Sequence, residues 1–318
     1  MDAIDKKILF FLDQNSRITN KQLAKKIRLS TQGLGYRLKI LENQNVIKGY
    51  ITIINPFSLG YQHYKIFMKL HYISDLIEKQ IIDYLVENKY VRWVASTSGK
   101  YDMSFSILAS SPTHFSEIYA AFEAKFSKYI SEKNIAIALF SPGFSRGWLV
   151  GEKSSTKFDY QNRGVKNVDE VDKKILKRIS QNARQSLVKL AEKTKLTVDV
   201  VKYRLRKLRE NNVITGFTIN LHLKKLGYEY YTLFLNLYDL DQKLENSIIE
   251  FSKSHSNVLF VLRVIGNYDM QIEIEVKDYE ELEKNLKSFR KYFANNIRNF
   301  EILRVTEQFK YDFYPFAV

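Results

Sequence analysis

The sequence predicts an α+β protein made of two tandem copies of one unit, a winged helix-turn-helix followed by a ferredoxin-like βαββαβ sheet domain. Three observations predict this class: an internal repeat, helical periodicity at the start of each copy, and strands alternating with helices in the remainder. The most similar stretches are 29–49, LSTQGLGYRLKILENQNVIKG, and 196–216, LTVDVVKYRLRKLRENNVITG. Without a gap, 23 of 57 positions are identical between 5–61 and 172–228, far too many for chance.

The repeat and the breaks within it divide the chain into five predicted segments. These are helix-turn-helix domains at 1–54 and 168–221, sheet domains at 55–141 and 222–318, and a linker at 142–167. Pro56 breaks the chain after the first helix-turn-helix, and Pro142 opens a stretch with little periodicity. We expect a short strand around 148–150 and otherwise a flexible linker, long enough to let the two copies pack side by side.

The first helix-turn-helix follows from helix signals and apolar spacing. Residues 2–12 have the apolar spacing of an amphipathic helix, and 19–22 (TNKQ) fit a capping box that opens a second, short helix. Ser30 is an N-cap for a third helix after a tight turn. Two short helices joined by so brief a turn predict a helix-turn-helix, and 46–54 predict the hairpin of a wing around Gly49.

Each sheet domain is predicted in the order strand, helix, strand, strand, helix, strand, with both helices on one face. In copy one we expect strands at 64–72, 90–97, 101–109 and 134–140, and helices at 75–87 and 113–129. In copy two we expect strands at 230–238, 257–265, 268–276 and 299–309, and helices at 241–254 and 278–293.

The positive charge is concentrated in the two helix-turn-helix domains. The net charge is +15, of which 1–50 carry +6 and 168–217 carry +7, so the other 218 residues carry only +2. Lys and Arg gain affinity for polyanions by releasing counterions from phosphate backbones. Two matching basic domains on a near-neutral remainder therefore favour a polyanionic partner over ordinary solvated faces.

Composition excludes several other classes of protein. The chain has no Cys, and its five His are scattered rather than spaced as ligand sets, so we expect no metal site and no cofactor. It has no apolar run of about 18 residues and no signal-peptide pattern at its start. We therefore expect a soluble cytoplasmic protein without a membrane partner.

The third helix of each copy has an outward face opposite its leucines. In a helix-turn-helix this face lies in the major groove of double-stranded DNA, and its N-terminal half contacts base edges. The base-edge candidates are Gln32, Tyr36 and Lys39 in copy one, and Asp199, Tyr203 and Arg206 in copy two. Arg37 and Arg204 flank these faces, where phosphate contacts are expected. For any single residue, a merely exposed helix face is the alternative.

Specific residues resemble the Lrp/AsnC family of bacterial and archaeal transcription regulators, the feast/famine proteins. The matching positions are Asp5-Lys6-Lys7-Ile8-Leu9, Asn15-Ser16-Arg17, Leu23-Ala24, Leu29-Ser30, Arg37, Leu41-Glu42, Val46-Ile47, Gly49, Pro56, Leu59-Gly60-Tyr61 and Gly99-x-x-Asp102. Copy two matches nearly as well, but it has Leu223 at the position of Pro56, and Arg209 and Thr197 at the positions of Glu42 and Ser30. Family members are usually single units that dimerise through the sheet domain, so the resemblance implies such a dimer fused in tandem.

The resemblance also implies a possible amino-acid effector and self-association through the sheet domains. Family effectors tend to bind near the loop that carries Gly-x-x-Asp. Carried over, this singles out Gly99, Asp102, Gly266 and Asp269. Gly and Asp are also ordinary turn residues between two strands, so a purely structural role is the alternative.

Three functions remain open from the sequence. The first is a sequence-specific DNA-binding regulator whose unlike reading domains bind an imperfect palindrome. The second is an architectural DNA-binding protein that depends on phosphate contacts and DNA shape. The third is an enzyme, because siroheme decarboxylases resemble the same unit; their chemistry depends on His and Arg around the sheet cleft, where the equivalent stretches here contain Arg92 and Arg263 but no His.

Overall fold

The computed structural model describes residues 1–160, 163–314 and 316. Residues 161–162 of the predicted linker, and 315 and 317–318 of the last predicted domain, lie outside the described residues. The helices are α1 Ala3–Gln14, α2 Asn20–Ile27, α3 Thr31–Asn43, α4 Asp75–Glu87, α5 Pro112–Phe126, α6 Glu170–Gln181, α7 Leu187–Thr194, α8 Val198–Glu210, α9 Leu223–Leu226, α10 Gln242–Ser254 and α11 Tyr279–Phe293.

The strands alternate with these helices as the sequence predicts. They are β1 Ile47–Ile54, β2 Gln62–Leu70, β3 Val91–Gly99, β4 Met103–Ala109, β5 Ile130–Phe144, β6 Thr156–Tyr160, β7 Ile214–Leu221, β8 Glu229–Leu237, β9 Val258–Ile265, β10 Met270–Val276 and β11 Ile297–Tyr311. The predicted α+β class and the βαββαβ order of both sheet domains are confirmed.

Helices α1 to α3 form head one, and α6 to α8 form head two. The predicted capping box of α2 is confirmed, because the Gln22 amide donates to Thr19 Oγ1 (3.2 Å) and the Thr19 amide donates to Gln22 Oε1 (3.2 Å). The leucines Leu23, Leu34 and Leu38 close the core of head one. Local capping and apolar spacing therefore account for each head.

The predicted wing hairpin at 46–54 is wrong. Strand β1 continues through Gly49, with a register shift between Ile47 and Gly49. It pairs antiparallel with β7 of the other copy, from Ile47 opposite Leu221 to Ile54 opposite Ile214. An eight-residue strand satisfies more backbone groups by pairing along its whole length than by folding back on itself. The apolar residues of β1 and β7 also enter the cores of the two heads, which joins the copies.

The sheet domains close into one eight-stranded barrel. Copy one has the strand order β5-β2-β4-β3 and copy two the order β11-β8-β10-β9. Strand β3 pairs with β11, and β5 pairs with β9, so each copy provides the partner for both edges of the other. Helices α4 and α5 cover one outer face of the barrel, and α10 and α11 cover another.

The linker is packed rather than flexible over its described residues up to 160. Strand β6 adds to the end of β5, and the predicted strand at 148–150 is instead a 3-10 turn at Gly147–Leu149. A Cβ on Gly147 would lie 2.1 Å from the Glu152 carbonyl oxygen, so only glycine fits this turn. This stretch therefore adds a ninth strand to the barrel sheet.

Buried ion pairs between linker residues and the rest of the molecule explain why the linker is packed. Asp13 of α1 is fully buried and receives Arg146 Nη1 at 2.6 Å and Lys157 Nζ at 2.8 Å. Arg146 also binds Glu275 of β10, with Nε 2.9 Å from Oε2. Burial alone would raise the pKa of Asp13, but Lys157 and Arg146 outweigh it and hold that pKa below its usual value. The linker thus ties head one to the barrel.

Two equivalent arginines clasp the heads together. Arg17 Nη1 donates to the carbonyl oxygens of Ala183 (2.6 Å) and Gln185 (3.1 Å) of head two. Arg184 Nη1 donates to the Ser16 carbonyl (2.7 Å) and its Nη2 to Asn20 Oδ1 (2.6 Å) of head one. Arg17 and Arg184 are separated by the repeat offset, so this arginine clasp is reciprocal and fixes one head against the other.

Inside the barrel lies an ion pair that neither copy could form with itself. Lys65 Nζ of β2 lies 2.9 Å from Glu273 Oε1 of β10, and both side chains are largely buried. At the repeat offset, Lys65 corresponds to Thr232 and Glu273 corresponds to Ser106. Two copies of the first unit would place Lys65 against a serine, and two copies of the second would place Glu273 against a threonine. The ion pair therefore favours association of the first unit with the second over association of either unit with a second copy of itself.

We predict that Glu273→Gln lowers the free energy of unfolding by about 3 kcal/mol, because it leaves the Lys65 ammonium buried without a carboxylate. Lys65→Met combined with Glu273→Leu should recover most of this loss. Urea unfolding monitored by tryptophan fluorescence measures both variants. The exposed pair of Lys253 and Glu250 is the control, since Lys253→Ala should change stability by less than about 1 kcal/mol. A double variant at least as unstable as Glu273→Gln would contradict the prediction.

Candidate nucleic-acid interface

The turn before each third helix is sharp because one residue adopts the left-handed conformation. Arg28 ends α2 with φ 58°, and Lys195 ends α7 with φ 57°. The helix that follows is capped by Ser30, whose Oγ accepts from the Gly33 amide at 3.0 Å, or by Thr197, whose Oγ1 accepts from the Val200 amide at 3.3 Å. The same local geometry sets the angle of α3 and α8 in their heads.

The buried face of each third helix determines which residues point outward. Leu34, Leu38 and Leu41 of α3 are buried, and so are Val201, Leu205 and Leu208 of α8. All six base-edge candidates are exposed, on the opposite face. Tyr36 is 70% and Tyr203 is 51% exposed, so both rings can contact a partner.

The two outward faces differ in charge. Helix α3 contains two basic residues and one acidic residue, whereas α8 contains five and two. The extra cations of α8 include Lys202 and Lys207, which are exposed and occupy the positions of Gly35 and Ile40 in α3. The outward face predicted from helix geometry includes Lys207, and alignment of the two copies adds Lys202 as a further exposed cation. Arg206 lies over the Tyr203 ring at 5.6 Å and pairs with Glu210 at 3.7 Å.

Arg37 and Arg204, predicted at phosphates, are ion-paired within their own heads. Arg37 Nη1 lies 2.8 Å from both Asp2 Oδ2 and Asp5 Oδ1 at the start of α1. Arg204 Nη1 lies 2.6 Å from Asp169 Oδ2, and also contacts Asp172. Each arginine therefore ties the third helix to the first. A phosphate contact by either stays a prediction, and it requires sharing or replacing these carboxylates.

The four predicted effector residues lie in two turns that meet between the copies. Asp102 Oδ2 accepts from the Leu70 amide (2.9 Å), and Asp269 Oδ2 accepts from the Leu237 amide (2.8 Å). These bonds give both carboxylates a structural role in the sheet. The intervening tyrosines, Tyr101 and Tyr268, bring their hydroxyl oxygens to 3.4 Å from each other.

Gly99 and Gly266 of the same turns approach the last strand of the opposite copy. A Cβ on Gly99 would lie 3.1 Å from the Ile302 carbonyl oxygen, and one on Gly266 would lie 3.0 Å from that of Ile135. The turns thus contribute to the interface between copies, and effector binding there stays a prediction.

A cavity of about 60 Å³ lies inside one end of the barrel, and we call it the barrel cavity. The side chains around it include His63, Lys65, Arg92, Trp93, Ser106 and Glu273. The stretches compared with the decarboxylases contain no His, but the fold brings His63 from β2 beside Arg92. Arg263 pairs instead with Glu245 at 3.5 Å. Only the three-dimensional pairing of strands could reveal the position of His63.

Within the described ranges, no helix has the length and apolar character needed to cross a membrane. The same part of the chain contains no group of three or more His, Asp or Glu residues that could hold a metal ion.

Comparison with known proteins identifies the two heads and the repeated unit. A winged helix-turn-helix DNA-binding family model matches residues 1–48 and 168–215. The HTH-type transcriptional regulator LrpA of Bacillus subtilis is 32% identical over 126 residues, which cover 39% of this chain and 91% of LrpA. The HTH-type transcriptional regulator Ptr1 of Methanocaldococcus jannaschii is 29% identical over 45% of this chain and 95% of its own length. Each relative therefore corresponds to about one unit.

A solved structure shares the tandem fold. The siroheme decarboxylase NirDL has a TM-score of 0.61 and covers 98% of this chain and 93% of its own chain, at 12% sequence identity. At this identity the likeness concerns the fold alone. The sequence relatives, the two helix-turn-helix matches and the repeat agree: the chain belongs to the Lrp/AsnC family of transcription regulators and contains two family units in tandem.

Proposed function

We propose that this transcription regulator acts as a covalent pseudo-dimer that binds one DNA site with two unequal half-sites. The observation that carries this proposal is a pair of exposed recognition faces, different in sequence, on heads joined by the reciprocal arginine clasp. A twofold dimer requires equal half-sites, about one helical turn (~34 Å) or a multiple apart. With two unlike faces in one chain, the two half-sites no longer have to be equal in sequence. They still have to lie at the distance that the two heads set.

The chemistry of the two faces supports different base preferences. Gln32 suits a bidentate contact with adenine, whereas Asp199 at the equivalent position suits acceptance from the cytosine amino group. Lys39 and Arg206 both suit guanine. Tyr36 and Tyr203 are common to both heads, so they account for contacts that the half-sites share.

We also propose that the protein binds an amino-acid effector and self-associates through its sheet domains. The predicted effector turns lie between the copies, so a ligand there would act on the contact that holds the barrel together. The side chains of Asp102 and Asp269 already accept backbone hydrogen bonds, which limits them to a supporting role in such binding.

We further propose that the chain is not a tetrapyrrole enzyme and acts in the cytoplasm. His63 and Arg92 do share the barrel cavity, but this space is about 60 Å³. Pockets for drug-sized ligands are roughly 300–1,000 Å³. A tetrapyrrole would have to displace Lys65 and its ion pair with Glu273 to enter.

The test is selection of bound sequences from a random double-stranded DNA pool at two salt concentrations. We predict a motif with two unequal half-sites, and we expect Tyr203→Ala with Arg206→Ala to erase only one of them. Loss of base contacts worth about 1–3 kcal/mol each weakens that half-site by at least tenfold. Gln32→Ala with Lys39→Ala should erase the other.

Lys291→Ala is the matched control, because Lys291 is an exposed cation on α11 outside both heads. If no motif is enriched but binding still weakens steeply with salt, the protein would instead be an architectural DNA-binding protein. Two identical half-sites would contradict the proposed asymmetry, and absence of DNA binding would contradict the function itself.

A second prediction concerns the arginine clasp. Arg17→Ala with Arg184→Ala removes the hydrogen bonds of the clasp and leaves the heads joined through β1 and β7, so we expect their separation to be held less tightly. The wild type should bind one spacing of the selected half-sites best. The double variant should bind that spacing roughly tenfold more weakly, because once one head is bound the effective concentration of the other head at its half-site is lower. Binding measured across a series of spacer lengths gives this result.

Lys7→Ala with Lys174→Ala is the control for the clasp, since both lysines are exposed and equivalent in the two heads. This control should weaken binding to every spacing equally. A double clasp variant that keeps the wild-type spacing preference would show that the clasp does not set the separation of the heads.

A further inference from the structure

The barrel cavity lies where the two copies meet and is asymmetric. At the repeat offset its side chains form equivalent pairs, His63 with Tyr230, Trp93 with Phe260 and Ser106 with Glu273, so it lies on the pseudo-twofold axis. Its volume of about 60 Å³ exceeds the 10–15 Å³ or so that one water needs. It has room for a few water molecules or one small organic ion.

Two of the charges around the cavity cancel. Lys65 Nζ pairs with Glu273 Oε1 at 2.9 Å, and the other carboxylate oxygen of Glu273 accepts from the Tyr230 hydroxyl. Both oxygens of Glu273 are therefore engaged. The position equivalent to Glu273 in copy one is Ser106, which carries no charge.

Arg92 carries a buried charge that no carboxylate of the described residues balances. The residue is 8% exposed, and it forms no ion pair with any residue that the structure describes. Its Nη2 lies 3.3 Å from the Tyr160 hydroxyl, and its guanidinium lies over the Phe313 ring at 4.0 Å. These contacts place the guanidinium at the cavity and leave most of its five N–H donors for another acceptor. A buried cation without a counterion is costly, so the site favours an anion.

Two of the residues around the cavity also have a buried polar atom without a partner among the described residues. In the described part of the chain, His63 Nε2 and Ser106 Oγ are buried and form no hydrogen bond. Burial, and then the charges of Arg92 and Lys65, hold the pKa of His63 well below its usual value. The imidazole is therefore neutral and can carry a proton on Nε2, which lets it donate to an oxyanion without adding charge.

We propose that the barrel cavity binds a short-chain monocarboxylate, with its oxygens on the Arg92 guanidinium and on His63 Nε2 or Ser106 Oγ. The net charge of the cavity is one positive unit, which matches a single carboxylate. The remaining walls are apolar or aromatic, chiefly Trp93, Phe260 and Leu262, and they suit a short alkyl chain. An α-amino acid would add an ammonium group, for which both oxygens of Glu273 are already occupied.

The proposal is independent of DNA binding and is tested on the full chain without DNA. Sodium acetate, propionate and butyrate are titrated at constant ionic strength against sodium chloride, with thermal unfolding and tryptophan fluorescence as readouts. Propionate should raise the melting temperature and change the fluorescence of Trp93. In Trp148→Phe, which leaves Trp93 as the single tryptophan of the sequence, both the fluorescence change and the thermal shift should remain.

Arg92→Gln should weaken propionate binding at least tenfold, and Lys291→Gln, which removes an exposed charge outside the barrel, should leave it unchanged. If Arg92→Gln fails to fold, Ser106→Leu provides a second test, because it fills the cavity without altering a charge and should abolish the propionate effect. An equal response to chloride, unchanged propionate binding in Ser106→Leu, or alanine binding as tightly as propionate would overturn the proposal.

Discussion

The structure depends on the pairing of strand edges between the two copies. A four-stranded sheet of either copy alone would leave the backbone groups of two edge strands without partners, and exposed edges invite association with other chains. Here β3 of copy one pairs with β11, and β5 pairs with β9, so the barrel has no free edge along these strands. The same principle explains why β1 pairs with β7 instead of folding into a wing. Each copy therefore completes its fold only in the presence of the other.

Residues of the two copies that meet across the pseudo-twofold axis can differ, because both copies belong to one chain. The Lys65 and Glu273 pair, the Arg92 guanidinium without an equivalent in copy two, and the ion pairs of Asp13 all occur once in the chain. A homodimer would repeat each of these features twice or place like groups against each other. Because the two copies are fused in one chain, equivalent positions can carry different residues. In the interior this permits a buried charge arrangement that occurs once per molecule, and at the surface it permits third helices with unlike outward faces.

The sequence contains enough local information to predict most elements of the fold. The 167-residue repeat, the capping box at Thr19 and the apolar spacing of the helices depend on residues close together in the chain, and each is confirmed. The partner of β1 and the order in the linker were missed, because they depend on contacts between residues more than 120 positions apart. The recognition faces could be predicted from helix geometry. The ion pairs of Arg37 and the position of His63 beside Arg92 could not, since neither has a local signal.

The ion pair inside the barrel also bears on subunit exchange. A single-unit relative that replaced one copy would have to open three strand pairings at once, β1 with β7, β3 with β11 and β5 with β9. It would also present its own residues to Lys65 or to Glu273. Unless it supplied the complementary charge, one ion would stay buried without a counterion. Exchange with a related regulator would therefore break the buried ion pair as well as the strand pairings, which favours keeping the two unlike heads in one molecule.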